Sequence, residues 1–181
     1  MKEYRSGFVS IVGCPNVGKS TLLNKIIGQK IAIVTDRAQT TRNKITGVLS
    51  RPGYQIVFLD TPGVTNPKNK LGEYMQKVTW DAMNEVEAIL FMADAEQGVR
   101  ERDAALLDRL SSAKAPVIAF VNKCDVCSKG QIDEAIAALE QRSFIKAVLH
   151  GSANTGEGLE QLETELLACM GVGPQYFPED M

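Results

Sequence analysis

The run Gly13-Cys14-Pro15-Asn16-Val17-Gly18-Lys19-Ser20 joins two spaced glycines to a lysine and a hydroxyl. Glycines let a backbone curl so that successive N–H groups point inward at an anion. A helix opening behind such a curl adds the positive end of its dipole. In this pattern Lys19 reaches the β- and γ-phosphates of a nucleotide, and the Ser20 hydroxyl meets Mg²⁺. Thr21 then stands beside the α-phosphate. The bland alternative is an ordinary glycine-rich turn, which the flanking strand and helix predicted below disfavour.

A phosphate cradle does not choose a base, but Asn122-Lys123-Cys124-Asp125 can. A carboxylate at Asp125 accepts from both N1–H and the 2-amino group of guanine. Adenine lacks that amino group and presents an acceptor at N1, which leaves the carboxylate desolvated and unpaired. Asn122 can tie this loop to the phosphate loop and contact the base edge, and the Lys123 stem can lie along the base plane. Ser152-Ala153-Asn154 follows the last predicted strand and offers a backbone N–H to guanine O6. Both base-contacting segments project from the carboxyl ends of strands, where ligands bind in open α/β sheets.

Asp60-Thr61-Pro62-Gly63 ends an apolar run. Asp60 there suits Mg²⁺ held through water, and the Gly63 N–H suits the γ-phosphate. Pro62 and Gly63 favour a loop that changes shape when that phosphate leaves. In the polar loop before it, Thr40 and Thr41 compete to place a hydroxyl on Mg²⁺ and an N–H on the γ-phosphate. The residue after Gly63 is Val64. Many small GTPases carry a water-orienting glutamine at that place. An apolar side chain cannot polarise water, so hydrolysis must use backbone groups, another residue or an added cation.

The elements that position these groups follow from periodicity. Residues 7–13 read as a strand, and Gly18 to Ile27 as a helix with Leu22, Leu23, Ile26 and Ile27 at helical spacing, stopped by Gly28. Residues 29–43 read as an exposed loop. Residues 45–49 and 54–59 flank Pro52-Gly53 as a β-hairpin. Helices are predicted at 71–84, 100–110, 131–139 and 159–170, and strands at 86–93, 116–121 and 145–149. Alternating strands and helices imply parallel pairing through right-handed crossovers. Continuous apolar strands imply a sheet covered on both faces. The expectation is an α/β P-loop sandwich of six mostly parallel strands, one of them an antiparallel hairpin strand, with helices on both faces. Trp80 reads as core, His150 as structural or solvent-facing, and Arg100-Glu101-Arg102-Asp103 as a solvated helix start.

Composition bounds the rest. A chain of 181 residues holds one ordinary domain rather than two. A net charge of −2 gives no electrostatic footprint for nucleic acid. No stretch approaches the roughly 18 apolar residues of a membrane span, and the first residues read as neither signal nor transit segment. The expectation is an intracellular protein. Among the cysteines, Cys124 and Cys127 form one CxxC, while Cys14 and Cys169 stand alone. A zinc site would need a second ligand pair, and His150 is the one histidine. A redox pair is the remaining alternative to Cys124 as part of the guanine motif.

The order GCPNVGKS, AQTTR, DTPG, NKCD and GSANTGEG resembles the Era-type GTPases of bacteria. The tail Pro174-Gln175-Tyr176-Phe177-Pro178-Glu179-Asp180-Met181 is similar to the segment with which that family leaves its G domain. The double-G-domain ribosome GTPases and the tRNA-modification GTPases share the first motif, while the QTTR segment and the tail favour Era. The resemblance implies slow GTP hydrolysis in small-subunit (30S) ribosome assembly, with 16S rRNA as target and weak peripheral contact with the inner membrane. It selects Thr41, with Ser20 and Asp60, for Mg²⁺. The implied nucleotide contacts are Gly13 through Thr21, Asp60 through Val64, Asn122 through Asp125, and Ser152 through Asn154. Lys19, Asn16, Thr41 and Gly63 are the groups nearest the reaction. In the tRNA-modification relatives an asparagine at the Asn16 position helps hold K⁺ beside the phosphates, so K⁺-stimulated hydrolysis is expected here. The family also carries a C-terminal RNA-binding KH domain. Residues 1–173 are expected to be the G domain and 174–181 the start of a linker toward a KH domain absent from this chain, which is expected to act as a monomer. An ATP-using P-loop enzyme and a nucleotide-gated binding module with negligible hydrolysis are the competing classes.

Overall fold

Every residue of Ala88–Asp94 and of Val117–Asn122 is buried. Strands covered on both faces carry apolar side chains at every position, and these two do so up to their polar last residues. The computed structural model describes residues 3–14, 16–28, 44–60 and 86–178, excepting the side chains of Lys44 and Asp60. In chain order the described elements are β1 (Arg5–Gly13), α1 (Lys19–Ile27), β2 (Lys44–Arg51), β3 (Tyr54–Asp60), β4 (Ala88–Asp94), α2 (Glu101–Leu110), β5 (Val117–Asn122), α3 (Lys129–Glu140), β6 (Ile145–His150), α4 (Leu159–Cys169) and β7 (Gly171–Val172). A single 3-10 turn, Cys124–Val126, lies between β5 and α3.

The strands pair in the order β2-β3-β1-β4-β5-β6. Only the β2–β3 hairpin is antiparallel along that path. Its turn places Gly53 at φ +91°, which a type II turn requires of its third residue and Pro52 favours at its second. Alternate residues of each central strand serve opposite faces. Leu90, Met92, Ile118 and Phe120 pack with Leu22 and Ile26 of α1 and with Leu162 and Leu166 of α4. Ile89, Phe91, Ala119 and Val121 pack with Leu107 and Leu110 of α2 and with Leu139 of α3. Each such side chain larger than alanine, fully buried, contributes about 1.5–3 kcal/mol.

Three expectations need correction. Among the described residues the sheet has the six expected strands and a seventh, β7, which pairs antiparallel with Arg5 and Ser6 of β1. β1 starts four residues before its pairing with β4 begins at Val9, so its first N–H and C=O groups need another partner. A two-residue strand leaves no periodicity to read. The fourth strand starts at Ala88 rather than at residue 86. Glu87 instead brackets Phe8: the Glu87 carboxylate accepts the Phe8 N–H at 2.5 Å and the Glu87 N–H donates to the Phe8 carbonyl at 2.9 Å. The charge run at the start of α2 is only partly solvated. Asp103 is buried, and its carboxylate accepts the Arg100 N–H at 2.9 Å, satisfying an otherwise orphaned donor at the helix start. The predicted loop at 29–43, the helix at 71–84 and Trp80 lie outside the described residues.

Candidate functional site

β1 delivers the chain to the carboxyl end of the sheet and stops at Gly13. Two left-handed residues then curl it, Asn16 at φ +70° and Gly18 at φ +98°, and α1 begins at Lys19. Asparagine is among the few non-glycine residues that tolerate this region. Gly18 provides no side-chain cap, so the first N–H groups of α1 face an anion-binding position. The Lys19 ammonium donates to the Gly13 carbonyl at 3.1 Å, folding back across the loop. Ser20 and Thr21 are exposed on the first turn. Cys14 is buried beneath the curl. Burial first, and the nearby Asp103 carboxylate second, push its thiol above the usual range, so it is a packed neutral group rather than a nucleophile.

Asn122, the last residue of β5, joins this loop to two others. It is 3% exposed. Its Nδ2 donates to the Val17 carbonyl at 2.8 Å, and its Oδ1 accepts the Ala153 N–H at 2.8 Å. A side chain at position 18 would collide with the Asn122 amide, so Gly18 is required by close approach as well as by its φ. Lys123, at φ +66°, donates from Nζ to the Asn16 carbonyl at 2.9 Å. Asp125 is exposed on the 3-10 turn that follows. The Cys124 N–H donates to the Gly151 carbonyl at 3.0 Å, which sets that turn beside the 151–158 loop. In that loop the Ser152 N–H donates to Glu157 O and the Ala153 N–H to Asn122. Of the Ser152-Ala153-Asn154 trio, Asn154 is exposed and its N–H has no protein acceptor among the described residues.

Residues 8–123 match the family described as 50S ribosome-binding GTPase. The chain belongs to this GTPase family. It is 46% identical over 178 residues to GTPase Era of Geobacter metallireducens, covering 98% of this chain and 60% of that protein. It is 45% identical over 179 residues to GTPase Era of Alkaliphilus metalliredigens, covering 99% of this chain and 61% of that one. A crystal structure of Era in complex with MgGDPNP and nucleotides 1506–1542 of 16S ribosomal RNA superposes with a TM-score of 0.79 at 37% identity, over 98% of this chain and 61% of the other. The chain spans about three fifths of the length of the curated relatives it matches.

For a GTPase of this family the donor set fits Mg²⁺. The Ser20 hydroxyl is exposed at the start of α1, and Asp60 stands opposite Ile11 on the neighbouring strand, two residues before Gly13. A hydroxyl and a carboxylate are hard oxygen donors, and Mg²⁺ typically takes one or two such groups together with substrate phosphates. Pro15, Thr41, Thr61, Pro62, Gly63 and Val64 lie outside the described residues.

Asp94 is the site residue that the sequence reading missed. It ends β4, is 2% exposed, and pairs with Lys123 Nζ at 3.5 Å while its other oxygen accepts the Gln97 N–H at 2.7 Å. It therefore holds the lysine expected to lie along the base. The available signal was an acidic residue closing a fully apolar strand, the same signal that singled out Asp60.

Proposed function

We propose that this chain binds GTP and GDP with Mg²⁺ and hydrolyses GTP to GDP and phosphate. Its wider role is that of the nucleotide switch of an Era-type protein in 30S subunit assembly and 16S rRNA maturation. The observation that supports this best is Asn122. One buried amide bonds the phosphate loop at Val17 and the base loop at Ala153, so the cradle and the guanine-reading segments form one body. A ligand that spans them must carry both phosphates and a base.

Lys19 and the N–H groups of the curl bind the phosphates, with Thr21 at the α-phosphate and the Gly63 N–H at the γ-phosphate. Ser20, Thr41 and Asp60 would hold Mg²⁺, which would supply positive charge to the phosphate oxygens. Asp125 reads N1–H and the 2-amino group of guanine. Val64 offers the attacking water no polar side chain, and Asn16, exposed on the curl, would hold a K⁺ that could offset negative charge beside the phosphates, as the resemblance to the tRNA-modification GTPases implies. Residues 1–173 form the nucleotide-binding domain, and 174–181 begin the connection to the further region that the relatives possess. The net charge of −2 supports assigning contact with 16S rRNA mainly to that region. No helix among the described residues is long and apolar enough to cross a membrane. Cytoplasmic location with weak inner-membrane contact, and a monomeric state, rest on the resemblance.

The test is nucleotide binding and phosphate release, in KCl and in NaCl, beside Asn16→Ala. GDP should bind far more tightly than ADP. Turnover should be on the order of 10⁻³ s⁻¹ without an activator, faster in KCl, with that gain lost in the variant. Tighter ADP binding would overturn the guanine assignment. Tight GTP binding with no phosphate released over hours would favour a binding module. Equal rates in the two salts would assign Asn16 to bracing the loop.

A further inference from the structure

The turn that presents Asp125 carries a thiol on each side of it. Cys124 opens the 3-10 turn and Cys127 follows it. In such a turn residues three apart eclipse one another and rise by about 6 Å. A disulfide joins Cα atoms about 4.4–6.8 Å apart, so the backbone already holds the pair at a bridgeable spacing. The Cys127 N–H donates to the Cys124 carbonyl at 3.4 Å and closes the turn. Both thiols are free and partly exposed. The Cys124 thiol donates to the Val121 carbonyl at 3.4 Å, a weak bond that a covalent partner can replace. Cys14 is buried under the phosphate loop and Cys169 ends α4, so neither shares this turn.

We propose that Cys124 and Cys127 form a reversible disulfide by exchange with a neutral or cationic small disulfide, and that this bond weakens guanine-nucleotide binding. The second half rests on Asp125 as the base-reading group. One protein thiolate attacks a sulfur of the small disulfide and expels a small thiolate. The other attacks the mixed disulfide at the protein sulfur and expels the second. Two protein thiols lose two electrons and two protons. The small disulfide gains them and becomes two thiols.

The effect on binding follows from what the turn touches. The Cys124 N–H holds the 151–158 loop through Gly151. Lys123 immediately before it bonds Asn16 and pairs with Asp94. Drawing the Cys124 side chain off Val121 and toward Cys127 disturbs a segment whose neighbours hold both the base loop and the phosphate loop.

The surroundings set the reagent. Burial first, then Glu157 and Asp125, push the Cys124 thiol up, and burial, Glu96, Asp94 and Asp125 do so for Cys127, with Lys123 opposing. Exchange is therefore slow near neutrality and quickens with rising pH. The same carboxylates repel an anionic disulfide such as oxidised glutathione and attract cationic cystamine.

The experiment treats the chain with cystamine at alkaline pH, removes the reagent, and maps the product by mass spectrometry. The expected result is a Cys124–Cys127 crosslink, two hydrogens lighter than the reduced peptide, formed faster than with oxidised glutathione. GDP affinity should fall at least tenfold and recover with dithiothreitol. Cys127→Ser should bind GDP as the reduced protein does and, after the same treatment, show no two-hydrogen loss in the peptide that carries Cys124. By linkage, saturating GDP must protect the thiols, and each tenfold loss of affinity must appear as a reduction potential about 30 mV higher with GDP bound. Stable cystamine adducts in place of the crosslink would overturn the proposal, as would a crosslinked protein that binds GDP unchanged. A reduced protein that prefers ADP to GDP would instead overturn the base-reading assignment, and with it the effect on guanine binding.

Discussion

The two ends of the sheet are fastened by opposite means. At the carboxyl end of the parallel strands a neutral amide does the joining. Asn122 is 3% exposed, and both ends of its side chain bond backbone groups of other segments. At the far end the fastening is charged and wetter. Arg51 donates to the Glu163 carboxylate at 3.1 and 3.3 Å and to the Ile26 carbonyl at 3.2 Å, and the Tyr54 hydroxyl donates to the same carboxylate. The Arg51 side chain is 42% exposed. A buried neutral amide brings no charge to desolvate, yet its loss strands backbone partners away from water. A half-exposed ion pair is screened, and its loss is largely absorbed by solvent. Rigidity is thus concentrated in one residue where three loops must agree around a ligand. It is spread over several weak contacts where the sheet only needs closing.

Breaking the nucleotide end should give the largest effect. Asn122→Ala leaves the Val17 carbonyl and the Ala153 N–H unpaired, at about 1–3 kcal/mol each. Unfolding in urea should show a loss of about 3 kcal/mol, with GDP affinity down more than tenfold. Gly18→Ala meets both an unfavourable φ and the Asn122 amide, so a loss of about 2 kcal/mol is expected, again with weaker GDP binding. Gln55→Ala tests the other end. Gln55 Nε2 donates to Ser50 Oγ and to the Phe177 carbonyl, both at 2.9 Å, and its Oε1 accepts the Phe177 N–H at 3.1 Å. Removal should lower stability by about 1.5 kcal/mol and leave GDP affinity unchanged. A matching loss of GDP affinity would break the contrast between the ends.

Tyr54→Phe should lower stability by about 1 kcal/mol at neutral pH and change its alkaline profile. Burial, then the hydrogen bond to Glu163, push the Tyr54 hydroxyl up to about 12 from 10.0. A raised folded value means that the contribution is whole below pH 10.0 and is lost as pH rises through about 12. Denaturation melts across that window should show a decline that the variant lacks. Arg142→Ala should have the smallest effect, under about 0.5 kcal/mol, because its partner Asp108 is 71% exposed.

At the carboxyl end of the sheet much of the candidate site was legible in the sequence, because its chemistry is local. A glycine curl followed by Lys19-Ser20, or an acid two residues after Lys123, is meaningful from spacing alone. The far end was not legible. Gln55 sits among strand-forming residues and looks like an ordinary exposed polar position, yet it is fully buried against the backbone of Phe177. β7 was missed because only the stagger between β1 and β4 creates its place. Asp103 reads as part of a solvated helix start and Asp94 draws no reading at all, but each is buried against a partner of its own. Asp94 holds Lys123, and Asp103 accepts the Arg100 N–H.

The sequence by itself carried the type and order of the described helices and of strands β1 to β6, and the spacing that points to a nucleotide and to most residues expected to hold it. These depend on side-chain periodicity, backbone permissiveness and short-range spacing, which the chain carries with it. Tertiary structure alone decided that Asn122 bonds Val17 and Ala153 rather than solvent, that Asp94 pairs with Lys123, and that Gln55 receives Phe177. Those bonds join residues far apart in sequence, and a polar atom's partner is set by what folding leaves within reach once water has been excluded.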